Sequence, residues 1–285
     1  MIDFYNTEQK MQFKKQRTYT AFRAALSLFL LLCVLLSAMG CTKTYQTETV
    51  KLSEKGNIKM IAHRGISGLE VENTDGAFLA AAMRSYYGIE ADLKRTADGK
   101  FIICHDSNLR ELAGKKISVE GSTYEELLAV NLLNKNGEED PTLHLSTLES
   151  YIGICKAYGK QAFLEFKSNF NAEEIKEIVT IIDALGYLSH VTFLSGTYQH
   201  LLTVRELSPT QEVQYVCYRV TSEIMENLIR DKIDVDIRYT GVRKAAVEQL
   251  HAAGLKVNVW TVDSAYRISR LLSFGVDYVT TNILE

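Results

Sequence analysis

The chain has 285 residues, of which 46% are hydrophobic and 24% charged, an ordinary composition for a globular protein. Its formal net charge is −3. The first forty residues carry five Lys/Arg and two Asp/Glu, a net charge of +3, so the rest of the chain is mildly acidic at −6. This balance argues against a nucleic-acid-binding protein, which usually carries a basic patch.

The N-terminal segment has the features of an export signal. A basic region precedes its apolar run and contains Lys14, Lys15, Arg17 and Arg23. An apolar run from Ala24 to Leu36 follows, which is shorter than the ~20 residues of a transmembrane helix. Small residues then lead into Cys41, in a pattern that resembles the lipobox of bacterial lipoproteins.

We therefore predict that residues 1–41 form a lipoprotein signal with Cys41 as the lipidated residue, or alternatively an uncleaved signal anchor. Either would give an exported protein that is held at the cell membrane and faces outside the cytoplasm. Residues 42–56 are polar and are predicted to form a flexible tether. Three cysteines remain in the body, at 104, 155 and 217, and an odd number argues against a disulfide framework.

From residue 57 onward, strand-like and helix-like segments alternate. Nine candidate strands are present: 58–62, 88–93, 101–104, 162–166, 191–194, 213–217, 233–237, 256–260 and 277–280. Amphipathic helical patterns fill most gaps, for example 172–185 and 242–253. This alternation predicts βαβ units and a parallel sheet, and the length suits an α/β protein with a TIM (β/α)₈ barrel of ~250 residues.

Nine strands are one too many for such a barrel. Asp98-Gly99 lies between two strand-like runs and predicts a tight hairpin, which would pair 88–95 and 101–104 antiparallel. We therefore predict that 101–104 is an excursion from the rim. Residues 106–147 then form an insertion after the second barrel strand, in which Tyr124, Leu127, Leu128, Leu132 and Leu133 suggest an amphipathic helix.

Polar residues follow several of the apolar strands, at the end that faces the active site in TIM-barrel enzymes. They are His63-Arg64, Glu90-x-Asp92, His105-Asp106, Glu165-x-Lys167 and the run Trp260-Thr261-Val262-Asp263. Glu90 and Asp92 point to one face of their strand because side chains alternate with period two. Inside a barrel, such like charges need a cation. Oxygen ligands favour Mg²⁺ or Ca²⁺, although a buried salt-bridge network with Arg64 and Lys167 is an alternative.

The segment from His63 to Arg110 resembles the glycerophosphodiester phosphodiesterase family. The resemblance is carried by His63-Arg64-Gly65, Glu72-Asn73-Thr74, Gly88-Ile89-Glu90-Ala91-Asp92, Thr96-Ala97-Asp98-Gly99 and His105-Asp106. It continues with Glu165-x-Lys167 and Val259-Trp260-Thr261-Val262. One departure is Asn282, which follows Thr281 where the family usually has Thr-Asp and a nearby proline.

The resemblance implies that Glu90, Asp92 and Glu165 bind one divalent cation, Mg²⁺ or Ca²⁺. It implies further that His63 and His105 are the catalytic acid–base pair, and that Arg64 and Lys167 contact the phosphate of a small-molecule phosphodiester. Trp260 would line the pocket for the glycerol or the head group, or would pack at the barrel rim. The expected products are glycerol 3-phosphate and an alcohol.

Two kinds of alternative remain at this stage. Within the same family, a lysophospholipase D-like or teichoic-acid-directed phosphodiesterase would also suit an exported, membrane-held enzyme. Outside it, a solute-binding lipoprotein would instead have a two-lobed sheet fold.

Overall fold

A computed structural model describes residues 47–285. The predicted signal and its Cys41 lie outside the described residues. Within the described range, no helix combines the length and the apolar character needed to cross a membrane. Of the predicted tether, residues 49–52 are seen to hydrogen-bond to the C-terminal residues: Val50 N–H donates to the carbonyl of Ile283 at 3.0 Å and Leu52 N–H to that of Glu285 at 2.7 Å.

Strands and helices alternate along most of the described chain. The strands are β1 Lys59–Ala62, β2 Gly88–Arg95, β3 Phe101–Ile103, β4 Leu132–Leu133, β5 Glu139–Asp140, β6 Gln161–Phe166, β7 Val191–Ser195, β8 Glu212–Cys217, β9 Asp234–Arg238, β10 Val257–Trp260 and β11 Tyr278–Thr281. The helices are α1 Asp75–Ala82, α2 Arg110–Ala113, α3 Tyr124–Leu128, α4 Leu148–Tyr158, α5 Ala172–Ala184, α6 Tyr198–Leu207, α7 Ser222–Asp231, α8 Lys244–Ala252 and α9 Ala265–Phe274.

Eight parallel strands close into a barrel in the order β1-β2-β6-β7-β8-β9-β10-β11, and β11 pairs with β1 to complete it. This confirms the predicted TIM barrel. The longest ladder joins β2 to β6, with six residue pairs from Gly88 and Gln161 to Leu93 and Phe166. A closed barrel of this kind is not the two-lobed sheet expected of a solute-binding lipoprotein.

The strand at 101–104 is the predicted excursion. β3 pairs antiparallel with the end of β2, with Leu93 opposite Ile103 and Arg95 opposite Phe101. The turn between them places Gly99 at φ +76°, in the left-handed region that glycine tolerates best. Because β3 pairs only with β2 in the nine-stranded sheet, it does not interrupt the parallel order of the barrel.

The barrel helices bury one face against the strands. In α5, Ile175, Ile178 and Ile182 recur at helical spacing and are all buried. Asn171 starts this helix, since its side chain accepts hydrogen bonds from two backbone N–H groups and the Glu174 carboxylate accepts one from the Asn171 N–H. The predicted helix at 172–185 is thus confirmed within one residue.

The insertion has a small core of its own. Its buried apolar side chains pack on β3 and against one another, and they include Ile102, Cys104, Leu109, Leu112, Val119, Leu127, Leu132 and Leu145. The predicted single helix is wrong: only Tyr124–Leu128 is helical, and Leu132–Leu133 is a strand that pairs with Glu139–Asp140. Leu132–Leu133 forms a strand instead of continuing the helix because its backbone pairs antiparallel with Glu139–Asp140 in a short hairpin.

Candidate active site

Three carboxylates meet at the carboxyl ends of β2 and β6. Glu90 and Asp92 point inward from β2, and Glu165 lies beside Asp92 in the β2–β6 register. One oxygen from each carboxylate lies within 4.8 Å of the others. Glu90 and Asp92 are almost fully buried. The structure therefore brings together the three predicted metal ligands.

Burial and mutual repulsion make this cluster electrostatically costly. Burial raises the pKa of Glu90 well above its usual value, and the neighbouring charges of Asp92 and Glu165 raise it further. Burial and Asp92 likewise raise the pKa of Glu165. One oxygen of Glu90, Oε1, is buried and has no hydrogen-bond partner.

Two basic side chains offset part of this charge. Arg64 Nε lies 3.2 Å from Asp92 Oδ2, and Lys167 Nζ lies 3.1 Å from Glu165 Oε1 and 3.7 Å from Asp92 Oδ1. Burial raises the pKa of Asp92, but Arg64 and Lys167 outweigh it, so the net shift is downward. The salt-bridge network with Arg64 and Lys167 is therefore present, and its acidic partners in this cluster are Asp92 and Glu165. No cationic side chain of the described residues hydrogen-bonds to the Glu90 carboxylate.

The backbone around Arg64 is tightly constrained. Arg64 itself has φ +53° and Gly65 has φ +77°. A Cβ at Gly65 would lie 2.6 Å from the carbonyl carbon of Ala77, so only glycine fits against α1. This turn points the Arg64 N–H at Glu90 Oε2, at 2.7 Å. Positive φ at a non-glycine residue is strained, and such strain is concentrated at functional sites.

The segment Glu72-Asn73-Thr74 holds residues of the same cluster in place by hydrogen bonds. Glu72 Oε1 accepts a hydrogen bond from Arg64 Nη1 at 2.8 Å. Asn73, at φ +58°, donates from Nδ2 to Asp92 Oδ2 at 2.9 Å. Thr74 accepts a hydrogen bond from the N–H of Ala77 and caps α1. Each residue of this motif therefore has a structural task.

His63 is held by residues that follow β10 and β11. Its Nδ1 lies 2.7 Å from Asn282 Oδ1, which also accepts a hydrogen bond from Ser67 at 2.6 Å. Asn282 in turn donates from its side-chain amide to Asp263 Oδ2 at 2.6 Å and from its backbone N–H to Asp263 Oδ1 at 2.7 Å. These contacts orient the Asn282 amide, so Nδ1 of His63 is the donor to it and Nε2 is free to accept.

The Nε2 atom of His63 faces the carboxylates, 3.9 Å from Glu90 Oε2. Burial, followed by the charge of Arg64, lowers the pKa of His63 to about 4. The imidazole is therefore neutral near pH 7. His105 lies at the end of the β3 excursion, and its Nδ1 lies 2.7 Å from Asp106 Oδ1.

Both histidines line one cavity of about 340 Å³ together with Arg64, Glu90, Glu165 and Lys167. The far wall of this cavity is formed by Tyr218, Asp236 and Trp260. The Trp260 indole N–H donates to the carbonyl of Asp236 at 3.2 Å, and its ring packs edge to face with Tyr218. Trp260 thus lines the pocket and packs at the rim.

Asp236 is a cavity residue that the sequence analysis missed. It is buried, its Oδ1 has no hydrogen-bond partner, and burial together with Glu165 raises its pKa well above the usual value. The signal was present, because Asp234-x-Asp236 repeats on β9 the alternating pattern of Glu90-x-Asp92. No motif of the family resemblance pointed to it. Asn282, Asp263 and Ser67 were likewise not predicted as neighbours of His63.

The donor set at the cluster fits a divalent cation. Three carboxylates supply hard oxygen ligands, which Mg²⁺ and Ca²⁺ prefer. The unpartnered Oε1 of Glu90 and the excess of carboxylates over basic groups are what a bound cation would satisfy. The three cysteines of the described residues, Cys104, Cys155 and Cys217, are free and buried, and none belongs to this cluster.

Comparison with known proteins gives a consistent result. A family model described as "Glycerophosphoryl diester phosphodiesterase family" matches residues 63–285. A glycerophosphodiester phosphodiesterase of Bacillus altitudinis is 27% identical over 235 residues, covering 79% of this chain and 94% of that protein. One of Bacillus subtilis is 27% identical over 285 residues, covering 90% and 94%.

Solved structures agree at the level of the fold. A putative glycerophosphoryl diester phosphodiesterase from Silicibacter pomeroyi superposes with a TM-score of 0.73 at 21% identity, over 81% of this chain and 92% of that one. An Oleispira antarctica phosphodiesterase in complex with the product sn-glycerol-3-phosphate gives a TM-score of 0.70 at 24% identity, over 79% and 92%.

Proposed function

The chain belongs to the glycerophosphoryl diester phosphodiesterase family, and from that premise we propose how its site hydrolyses glycerophosphodiesters to glycerol 3-phosphate and an alcohol. The observation that carries the proposal is the cluster of Glu90, Asp92 and Glu165, with ligand atoms within 4.8 Å of one another, beside Arg64 and Lys167. It combines a place for a cation with basic groups that suit an anionic phosphate.

We propose that Glu90, Asp92 and Glu165 hold one divalent cation, Mg²⁺ or Ca²⁺. When bound, the cation would neutralise charge on the phosphodiester and act as a Lewis acid. The protein's own part is to hold three carboxylates together against their repulsion, which the β2–β6 ladder does through its six residue pairs.

Arg64 and Lys167 are proposed to bind the phosphate oxygens. Both line the cavity, and their nitrogens already lie at the carboxylates, so a phosphate placed there would meet two positive charges. A guanidinium offers paired N–H donors to a phosphate. Because both side chains are held by acidic partners, little ordering remains to be done when the substrate binds.

His63 is proposed as the general base and His105 as the general acid. The Nδ1–H of His63 is committed to Asn282, which leaves Nε2 with a free lone pair inside the cavity. Its low pKa keeps this nitrogen unprotonated near pH 7. Nε2 can therefore take the proton of the attacking hydroxyl. This is either water, which would give glycerol 3-phosphate directly, or a hydroxyl of the substrate's glycerol, which would give a cyclic phosphate that water then opens to glycerol 3-phosphate. His105 would then protonate the oxygen of the departing alcohol.

Asn282 and Asp263 are proposed as positioning residues for His63. A carboxylate that orients an amide, which in turn orients the imidazole, fixes both the ring plane and the tautomer. The residue that departs from the family pattern thus has a definite task in this chain, and it performs it together with Asp263.

The test of the function is hydrolysis of glycerophosphocholine by the purified protein, followed by release of glycerol 3-phosphate. We expect turnover that is lost with EDTA and restored by Mg²⁺ or Ca²⁺. Glu90→Gln should abolish turnover and divalent-cation binding while the fold persists. Glu125→Gln, which removes an exposed carboxylate on α3, is the matched control. Wild-type turnover that survives exhaustive chelation would refute the metal assignment.

We also propose a cellular location for the enzyme. The basic segment, the apolar run from Ala24 to Leu36 and the small residues before Cys41 support an exported, membrane-anchored protein, through a lipidated Cys41 or an uncleaved anchor. Such an enzyme would meet substrates outside the cytoplasm.

A further inference from the structure

Asp236 is a buried carboxyl of the catalytic cavity that the proposed mechanism does not use. Its side chain lines the cavity and is only 4% exposed. The Oδ1 atom is buried and has no hydrogen-bond partner among the described residues. No Lys, Arg or His nitrogen of residues 47–285 lies within 4.0 Å of this carboxylate. Because an unpaired buried carboxyl costs free energy, a bound group that pairs with it would be stabilised.

Asp236 stands across the barrel mouth from the carboxylates of β2. Its strand, β9, is four strands away from β2 in either direction around the barrel. Asp236 is also not part of the group whose ligand oxygens lie within 4.8 Å of one another. With the phosphate of a diester at the cluster, a group that reaches Asp236 must therefore belong to one of the two ester arms.

Electrostatic neighbours indicate which arm this is. Besides burial, the charge of Glu165 raises the pKa of Asp236. The charge of His105 lowers the pKa of the same Glu165, whereas the pKa of His63 depends mainly on burial and on Arg64. Glu165 is thus the common neighbour of Asp236 and His105. Since His105 is the proposed proton donor to the departing alcohol, the arm that extends toward Asp236 is that alcohol, the head group.

The other charged groups around the cavity already have partners of opposite charge. The ion pairs are Arg64 with Asp92, Lys167 with Glu165, and His105 with Asp106. Glu90 would be offset by the proposed divalent cation. A buried carboxylate is stable when it is paired, so the charge that suits Asp236 is a cation carried by the substrate.

The aromatic wall beside Asp236 suits an organic cation. Trp260 lines the cavity, and its only polar group, the indole N–H, donates to the Asp236 carbonyl at 3.2 Å. Trp260 therefore offers aromatic surface, which attracts cations through the ring quadrupole. The neighbouring ring of Tyr218 packs edge to face on Trp260 and already has Arg238 over it, 5.6 Å from the centroid. Trp260 is thus the ring that can share a substrate cation with Asp236.

We propose that Asp236 binds the ammonium group of the departing alcohol and makes the enzyme selective for head groups of the ethanolamine type. The inference rests on the proposed function and names the substrate class within it. A primary ammonium has N–H donors that the Asp236 oxygens can accept, in addition to its charge. A quaternary ammonium such as choline brings charge alone, and a neutral alcohol brings only a hydroxyl.

The experiment compares two substrates that differ in one group. Glycerophosphoethanolamine ends in an ammonium, and the 2-hydroxyethyl ester of glycerol 3-phosphate ends in a hydroxyl at the same position. The test variant, Asp236→Asn, keeps the size and one acceptor oxygen but removes the charge. The control, Asp183→Asn, removes an exposed carboxylate from α5. All are assayed as the full-length, metal-loaded protein, after thermal unfolding has verified that each variant is folded.

We expect the ratio of kcat/KM, ethanolamine ester over hydroxyethyl ester, to fall about tenfold or more in Asp236→Asn, because a charge-assisted hydrogen bond is lost. The control should keep the wild-type ratio. The choline ester should lose less than the ethanolamine ester. Calorimetry in a His105→Ala background gives a readout without turnover: adding Asp236→Asn should raise the Kd of glycerophosphoethanolamine by a similar factor.

An equal loss on both substrates would overturn the proposal, since it would assign Asp236 to a glycerol hydroxyl or to the phosphate site, which the two esters share. An unchanged ratio would overturn it as well. A wild type that cleaves neither ester is a different result, because it would refute the proposed function itself.

Discussion

Glu90 is the residue at which the proposed metal-binding role and stability conflict most clearly. Its carboxyl is buried, its Oε1 has no partner, and burial raises its pKa. A carboxyl whose pKa is higher in the folded than in the unfolded state favours folding below the unfolded pKa. That contribution is lost as the pH rises through the folded pKa.

We therefore expect Glu90→Gln to be at least as stable as the wild type in EDTA, with an advantage that grows between pH 5 and pH 8. The measurement is the free energy of unfolding of both proteins by urea at several pH values. With Mg²⁺ or Ca²⁺ present the order should reverse, since only the wild type gains binding energy. A wild type that is the more stable protein at pH 8 in EDTA would contradict this account.

The contact between Asn282 and Asp263 can be tested by exchanging the two residue types. Asn282→Asp would place two carboxylates where an amide now donates at 2.6 Å, so the orientation of His63 should be lost and kcat should fall, by about tenfold. This is expected even though the substitution restores the family's usual Thr-Asp. Asp263→Asn/Asn282→Asp should recover most of the loss, because an amide again faces a carboxylate. Recovery should appear in kcat rather than KM; without it, the pair has no positioning role.

The proposed roles of the two histidines can be distinguished by changing the leaving group of the substrate. General acid–base catalysis typically contributes 10²–10⁴-fold, so both alanine variants should be slow on glycerophosphocholine. A nitrophenolate leaves without protonation. His105→Ala should therefore regain much of its activity on a nitrophenyl glycerophosphodiester, whereas His63→Ala should not. If both lose the same factor on both substrates, the assignment of acid and base fails, and phosphate binding by imidazolium becomes the better account.

At the scale of the elements, the insertion is a separate structural unit that carries His105 at its entrance. Its core is built on β3, apart from the main barrel core. Leu132 is fully buried in it. Leu132→Ala should cost about 2–5 kcal/mol locally, and the loss of hydrogen-exchange protection should be confined to residues 101–147.

The same variant should lose kcat while it still binds the divalent cation, because His105 is displaced and the carboxylates on β2 and β6 are not. Leu207→Ala, at a half-exposed leucine of α6, is the control. Loss of protection that spreads through the barrel strands would show that the insertion and the barrel unfold together.

The elements that the sequence predicted well are those in which local pattern and global fold agree. Alternation along β2 predicted that Glu90 and Asp92 share a face, and the Asp98-Gly99 turn predicted the β3 excursion. Leu132–Leu133 was misassigned because its spacing from Leu127–Leu128 also fits a helix, and only pairing with Glu139–Asp140 decides the matter. Contacts such as Asn282 with Asp263 join two different loops, and no local pattern encodes them.

At the scale of the whole molecule, the prediction that remains to be tested is the anchor. Replacing Cys41 by serine should remove the protein from the lipid-modified pool if this cysteine is the acylated residue. The measurement is metabolic labelling with a fatty acid, followed by membrane fractionation. A Cys41→Ser protein that still incorporates the label would place the modification elsewhere. One that stays in the membrane without label would identify the segment as an uncleaved anchor.

The insertion leaves and rejoins the barrel at adjacent points. Ile102 forms an antiparallel bridge with Thr147, and Ile103 N–H donates to the carbonyl of Ser146 at 3.1 Å. Everything between is therefore a closed excursion whose exchange would leave the register of β2 with β6 unchanged. Chimeras that take this segment from a relative would keep the carboxylate cluster and replace the scaffold of His105. The fold thus separates the carboxylate cluster of the barrel from a replaceable module, and the two could diversify independently.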